Sequence, residues 1–130
     1  MAAARFRHSH ISDGEMVECL NRAAAMLYVP VLEPFGLAPL EANACETPVV
    51  ALAEGGVRES IRDGQNGILV FDEDAAELGR AIAELLANPE WARLLGKRAR
   101  RDVLENWTWS AACDRLEQEL LRTIEAATGR

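Results

Sequence analysis

Ala25-Met26-Leu27-Tyr28-Val29-Pro30-Val31-Leu32-Glu33-Pro34-Phe35-Gly36-Leu37-Ala38-Pro39-Leu40-Glu41 is the stretch that decides the fold. It opens with an apolar run, Ala25 to Val29, in which polar and apolar residues do not alternate. Such a run reads as a strand buried on both faces, as in parallel sheets. Proline and glycine then interrupt the chain, and a helical pattern carrying Leu40, Ala44 and Cys45 follows Gly36. Two further runs of the same kind lie downstream, Pro48 to Leu52 and Gly67 to Phe71. Strand, helix and strand at this spacing argue for βαβ units and a parallel sheet, hence an α/β fold. Arg5 to His8 offers a weak fourth strand.

The helices around this framework carry their own punctuation. Ser12 or Asp13 is expected to cap a helix from about Gly14 to Ala24, with Met16, Val17 and Leu20 on one face. Gly55-Gly56 opens a short helix through Val57 and Ile61, and Asp63-Gly64 and Asn66-Gly67 mark turns. Asp74 with Glu77 resembles a capping box, and Leu78, Ile82, Leu85 and Leu86 follow at helical spacing. Asn88-Pro89 separates that helix from the next, with Pro89 in a tolerated first-turn position. There Trp91, Leu94, Leu95 and Val103 should face inward, and Arg93, Lys97, Arg98, Arg100 and Arg101 largely outward. Thr108 is placed to cap a last helix striped by Cys113, Leu116, Leu120 and Ile124.

Composition narrows the classes. The chain has 130 residues, a hydrophobic fraction of 49% and a net charge of -7. That is enough apolar content for one packed domain and too much for a disordered chain. The acidic balance argues against a nucleic-acid backbone or an anionic membrane as the main partner. No apolar run reaches the length of a transmembrane segment, and Met1 to His10 shows no leader-like apolar region. Cys19, Cys45 and Cys113 are far apart and odd in number, which fits a reducing cytosol, so a cytoplasmic location is expected. The basic run Lys97 to Arg101 reads as a solvated helix face, with a phosphate patch or peripheral attachment to a membrane as the other reading. His8 and His10 would share a strand face but lack further metal ligands. Trp91, Trp107 and Trp109 read as packing residues, and the cysteines as buried or inert.

Chemistry is expected beyond the carboxyl end of the first strand, where parallel sheets bind ligands. Glu33 and Glu41 stand there, separated by seven residues, with Gly36 and a helix start between them. Gly36 lets backbone approach a ligand, and the N–H groups of a helix start suit a phosphate. Two carboxylates flanking an anion site make chemical sense if they bind hydroxyls, which a sugar and a ribose supply.

The glutamate, seven residues, glutamate spacing resembles the signature of the retaining glycosyltransferases of family 4. Leu40-Glu41-Ala42-Asn43-Ala44-Cys45 is similar to that family's helix after the loop, and Thr47-Pro48-Val49-Val50-Ala51 to its next strand. Gly55 to Ile61 and Asp63 to Val70 resemble the following helix and strand, and Trp107-Thr108-Trp109 a late aromatic-hydroxyl-Trp signal. The resemblance covers roughly residues 11 to 125. It implies the GT-B architecture, with two Rossmann-like domains facing one another across a cleft. This chain resembles the later part of the carboxy-terminal, donor-binding one: a partial Rossmann-like parallel sheet of three or four strands, helices on both faces, and carboxy-terminal helices. Residues 1–10 would be a remnant strand or disordered start, and 11–130 a partial nucleotide-sugar-binding domain.

The resemblance also assigns roles. Glu33 would be the catalytic carboxylate beside the sugar hydroxyls and the reacting face. Glu41 would hold the ribose, while Phe35, Gly36 and Leu37 would bring backbone amides to sugar and phosphate. Ile11 falls near the family's base contact. The implied reaction is hexosyl transfer from a nucleoside diphosphate sugar to an acceptor hydroxyl with retention. It would proceed by same-face substitution without a covalent residue, cofactor or metal ion. The expected partners are the nucleotide sugar and the amino-terminal half, or self-association through an open sheet edge. The family's Arg and Lys that clamp the diphosphate belong to strands this chain does not match. The isolated chain is therefore expected to be inactive, and a non-catalytic nucleotide-sugar-binding or subunit-pairing module is the alternative. Glu46 stands where the family usually has Gly, and Val31 where many relatives have Ser. If the chain at residue 46 is left-handed, Glu costs on the order of 1 kcal/mol there.

Overall fold

The computed structural model describes residues 8–71 and 74–129. Three strands form one parallel sheet in the order β1 (Met26–Tyr28), β2 (Val49–Leu52), β3 (Ile68–Val70). Met26 pairs with Val49, and Val50 with Ile68, so the three carboxyl ends lie side by side. The expected fourth strand at Arg5 to His8 falls almost wholly outside the described residues. His8 to Ile11 have no regular structure, and the His8 and His10 rings meet edge-on at 6.3 Å.

Helices cover both faces. α1 (Asp13–Arg22), α2 (Leu37–Ala44) and α3 (Val57–Ser60) accompany β1 and β2, whereas α4 (Ala75–Ala87) and α5 (Pro89–Asn106) follow β3. Alternation along β2 divides the core. Val49 and Ala51 pack with Ala42, Val57 and Ile61 on one side, against Leu20, Met26 and Tyr28. Val50 packs with Val70, Leu85 and Leu95 on the other, against Ile82 and Trp91. All of β2 is buried, as its unbroken apolar run requires. β1 departs from that expectation: Leu27 is 50% and Val29 48% exposed, because among the described strands β1 pairs only with β2.

The helix ends obey their sequence signals. Ser12 caps α1 by a closed box with Glu15: its hydroxyl accepts from the Glu15 N–H, and its own N–H donates to the carboxylate at 2.8 Å. That backbone donor first, and then the hydroxyl, holds the Glu15 carboxyl below its ordinary pKa. The box is therefore complete at neutral pH and is lost as acid protonates Glu15. Asp74 caps α4 through the Ala76 N–H, but Glu77 pairs with Arg80 instead of closing a box. Thr108 caps α6 (Trp109–Thr128) through the Ala111 N–H.

Several expected inward residues are not covered. α6 buries no residue, and its stripe of Leu116, Leu120 and Ile124 is exposed. Trp109 is 88% exposed, Cys19 and Cys113 are exposed, and Leu94 faces outward. Asn43, by contrast, is fully buried, and both polar atoms of its amide lack a hydrogen-bond partner among the described residues.

Glu46 adopts φ 60, the left-handed conformation that penalises a side chain. Relief of that penalty, less the chain entropy a glycine brings, should make Glu46→Gly more stable by about 0.5–1 kcal/mol. A urea unfolding series would show a raised midpoint at unchanged slope. An unmoved or lowered midpoint would contradict the strain.

Candidate functional site

β1 delivers the chain at the carboxyl edge of the sheet, and residues 29–36 form the loop into α2. Pro30 and Pro34 deny this segment two backbone donors, so it cannot extend the strand. Leu32 turns it with φ 56, and its N–H donates to Glu54 Oε1 at 2.8 Å, tying the loop after β1 to the second residue beyond β2. Gly36 has φ 83 and occupies the N-cap of α2.

The loop rests on backbone rather than on side chains. A Cβ on Gly55 would stand 2.2 Å from the Glu33 carbonyl oxygen, and one on Gly56 2.5 Å from the Phe35 Cα. The glycine pair is therefore more than a turn. It is the floor under residues 33–35. Tyr28 supports the next residue, with its hydroxyl 3.2 Å from where a Gly36 Cβ would lie. Burial, and then the Glu33 carboxylate, push the Tyr28 phenol above its ordinary pKa, which keeps its proton in place.

Upon this floor the expected site residues come together. Glu33 is exposed, and its Oε1 accepts the Gly36 N–H at 3.3 Å, folding the carboxylate back over the entry to α2. Phe35 is half-buried against Trp107, with ring centroids 5.7 Å apart. Leu37, 65% exposed, and Glu41, also exposed, lie four residues apart on the outer face of α2. Pro39 has no N–H, so the unpaired donors of the first helical turn are Leu37 and Ala38. α2 carries no acidic residue in its first turn, unlike α1, α3, α4 and α5, so its positive end is not neutralised from within. The arrangement presents two amide donors to an anion, with a carboxylate on either side to accept hydroxyl protons. Ile11 is not part of it and lines another cleft with Glu15, Cys19 and Arg22. Among the described residues, no group of three or more His, Cys, Asp or Glu could hold a metal ion.

Sequence reasoning missed the polar network behind the loop. Asp102 of α5, 7% exposed, receives Asn66 Nδ2 at 3.0 Å, Asn106 Nδ2 at 2.9 Å, Trp107 Nε1 at 3.2 Å and the Arg62 guanidinium. The available signal was its position: Leu95, Ala99 and Asp102 fall on one buried stripe of α5, and a carboxylate on such a stripe needs partners.

Known proteins share this sequence pattern and fold. The family model described as glycosyl transferases group 1 matches residues 6–102. A GDP-mannose-dependent alpha-(1-6)-phosphatidylinositol monomannoside mannosyltransferase of Mycolicibacterium smegmatis is 34% identical over 92% of this chain and 30% of its own length. A D-inositol 3-phosphate glycosyltransferase of Geodermatophilus obscurus is 46% identical over 73% of this chain and 20% of its own. Among solved structures, sucrose-phosphate synthase from Thermosynechococcus elongatus superposes with a TM-score of 0.64 at 42% identity, covering 78% of this chain and 26% of that one. The chain thus spans under a third of the length of these relatives.

The glycine floor makes a sharp demand. Gly55→Ala places a methyl group against the Glu33 carbonyl in a left-handed residue of φ 60. It should cost about 2 kcal/mol or more and shift the amide resonances of Glu33 and Phe35. Wild-type stability with unmoved resonances would show that the loop does not rest there.

Proposed function

We propose, for a chain that belongs to the group 1 glycosyl transferases, that residues 29–41 hold the nucleoside diphosphate sugar of a family 4-type, retaining reaction, in the carboxy-terminal, donor-binding half of a GT-B enzyme. The observation that carries this reading is the pair Glu33 and Glu41 set about the glycine-opened start of α2, whose own first turn holds no acidic residue. The Leu37 and Ala38 amides would meet a phosphate oxygen. Glu41, one turn further on, would accept the ribose hydroxyls. Glu33 would accept a sugar hydroxyl and place negative charge beside the anomeric carbon as positive charge develops there. The acceptor is a hydroxyl, the transferred group a hexosyl unit, and no metal ion is required. A nucleotide-sugar donor is supported by the mannosyltransferase relative, which is GDP-mannose-dependent.

Departure of a diphosphate calls for cations, and among the described residues no Lys or Arg donates a hydrogen bond into residues 33–41. As a 130-residue polypeptide the chain should therefore bind donor without measurable transfer. Calorimetry with UDP, GDP and ADP hexoses tests the binding. One nucleotide series should bind, and Glu41→Ala should weaken it about tenfold, the worth of one charge-assisted hydrogen bond. Wild-type affinity in Glu41→Ala would remove the ribose role, and no binding in any series would remove the donor site.

A pairing role is favoured by one observation, the edge of β1, whose Leu27 and Val29 are exposed and which pairs only with β2 among the described strands. Size exclusion of the polypeptide should then reveal a concentration-dependent dimer. A monodisperse monomer at millimolar concentration would contradict it.

A further inference from the structure

Trp107 connects two features that the proposed donor site leaves separate. Its indole Nε1–H donates to Asp102, the buried carboxylate on which Asn66, Asn106 and Arg62 also converge. Its ring meets Phe35, tilted by 57° at 5.7 Å, and the Arg115 guanidinium lies over it at 6.0 Å from the centroid. Arg115 is itself held, donating to the Asn106 carbonyl at 2.6 Å. The indole is therefore fixed at its polar end and through its ring, and what it touches is the loop residue directly before Gly36.

The loop needs such a fixture. Gly55 and Gly56 bound residues 33–35 from one direction, but contact with glycine backbone supplies no side-chain interlock. Gly36, which follows, is joined to the loop by its N–H donating to the Glu33 carboxylate at 3.3 Å, and Leu37 comes next in the chain. Phe35 is the loop's aromatic anchor, and its rotamer is set by whatever stands against it.

We propose that Trp107 is a positioning residue for this loop: held by Asp102, it sets Phe35 and through it the place of the Gly36 and Leu37 amides. Asp102, Arg62 and Asn66 are on this account the support of the donor loop, although none of them belongs to it. The functional half of the inference rests on the donor reading above, whereas the mechanical half does not.

The two halves separate in one set of measurements on the full chain. Backbone 15N order parameters at Gly36 and Leu37 should be about 0.85 in the wild type and fall below about 0.6 in Trp107→Leu, with β2 and α5 unchanged. Phe35→Leu breaks the same ring contact from the loop side without touching Asp102. It should loosen the same two amides, with little further effect in the double variant. Trp107→Phe keeps an aromatic ring but loses the donation to Asp102, so it should restore only part of the order. Unchanged order at Gly36 and Leu37 in both single variants overturns the proposal, as does loss of order spread over the whole sheet. If Trp107→Leu does not fold, Phe35→Leu decides alone.

Binding supplies the second readout. Affinity for nucleoside diphosphate hexoses should fall about tenfold in Trp107→Leu, and affinity for the matching nucleoside monophosphate should stay within about twofold. Loosened amides in a protein that binds no nucleotide sugar would keep Trp107 as the loop's support and remove the donor reading. Firm donor binding unaffected by Trp107→Leu would overturn the positioning role and leave that reading standing.

Discussion

Backbone packs directly on backbone where Gly55 and Gly56 pass beneath residues 33–35, and the geometry of the site follows from that contact. Parallel pairing brings the carboxyl ends of β1 and β2 together, so the segments leaving them are neighbours. A side chain at either glycine would force them apart. With none, the loop after β1 lies against the turn after β2, Glu33 reaches back to the entry of α2, and Glu41 is carried on the exposed face of the same helix. Sheet register, glycine placement and helix start thus act as one constraint on two carboxylates that are far more exposed than their support.

That contrast between a wet site and a dry foundation recurs around the loop. Tyr28 lies under Gly36 with its phenol kept protonated, and Trp107 stands against Phe35 with its indole N–H on Asp102. Asp102 is affordable in the interior because several donors meet it. Its removal would strand Arg62 and two amides, so the network joins the α3–β3 turn to the end of α5. Strain is stored outside the loop, at Glu46, whose left-handed backbone closes the turn between α2 and β2. The Asn43 amide, unpartnered among the described residues, lies at the end of α2 just before that turn, so this short stretch carries two local costs that the packing of its neighbours must offset.

Much of this was legible in the sequence, for identifiable reasons. The unbroken apolar runs located all three strands, and β2 is buried as such a run requires, because it alone has a strand on each side among those described. The same pattern misled for β1, since periodicity registers apolar character and not whether a neighbour is present. Ser12, Asp74, Pro89 and Thr108 announced their helices because capping is local chemistry. Glu33, Gly36 and Glu41 were legible as a spacing. The floor at Gly55-Gly56 and the convergence of Arg62 and Asn66 on Asp102 were not, because these partners lie more than twenty residues away and only the tertiary fold joins them. The α6 stripe marked a helix with an apolar face correctly, but no described element covers that face.

The central claim is that the loop from β1 into α2 is where a nucleotide sugar sits. Amide chemical-shift mapping of the 15N-labelled chain during titration with UDP, GDP and ADP hexoses tests it most directly. The account predicts saturable shifts for one nucleotide series, largest at Glu33 and from Phe35 to Ala38, extending through Glu41 and fading along β2. Saturable shifts centred elsewhere, for instance on Arg62, Arg98 and Arg101, with residues 33–41 unmoved, would contradict it.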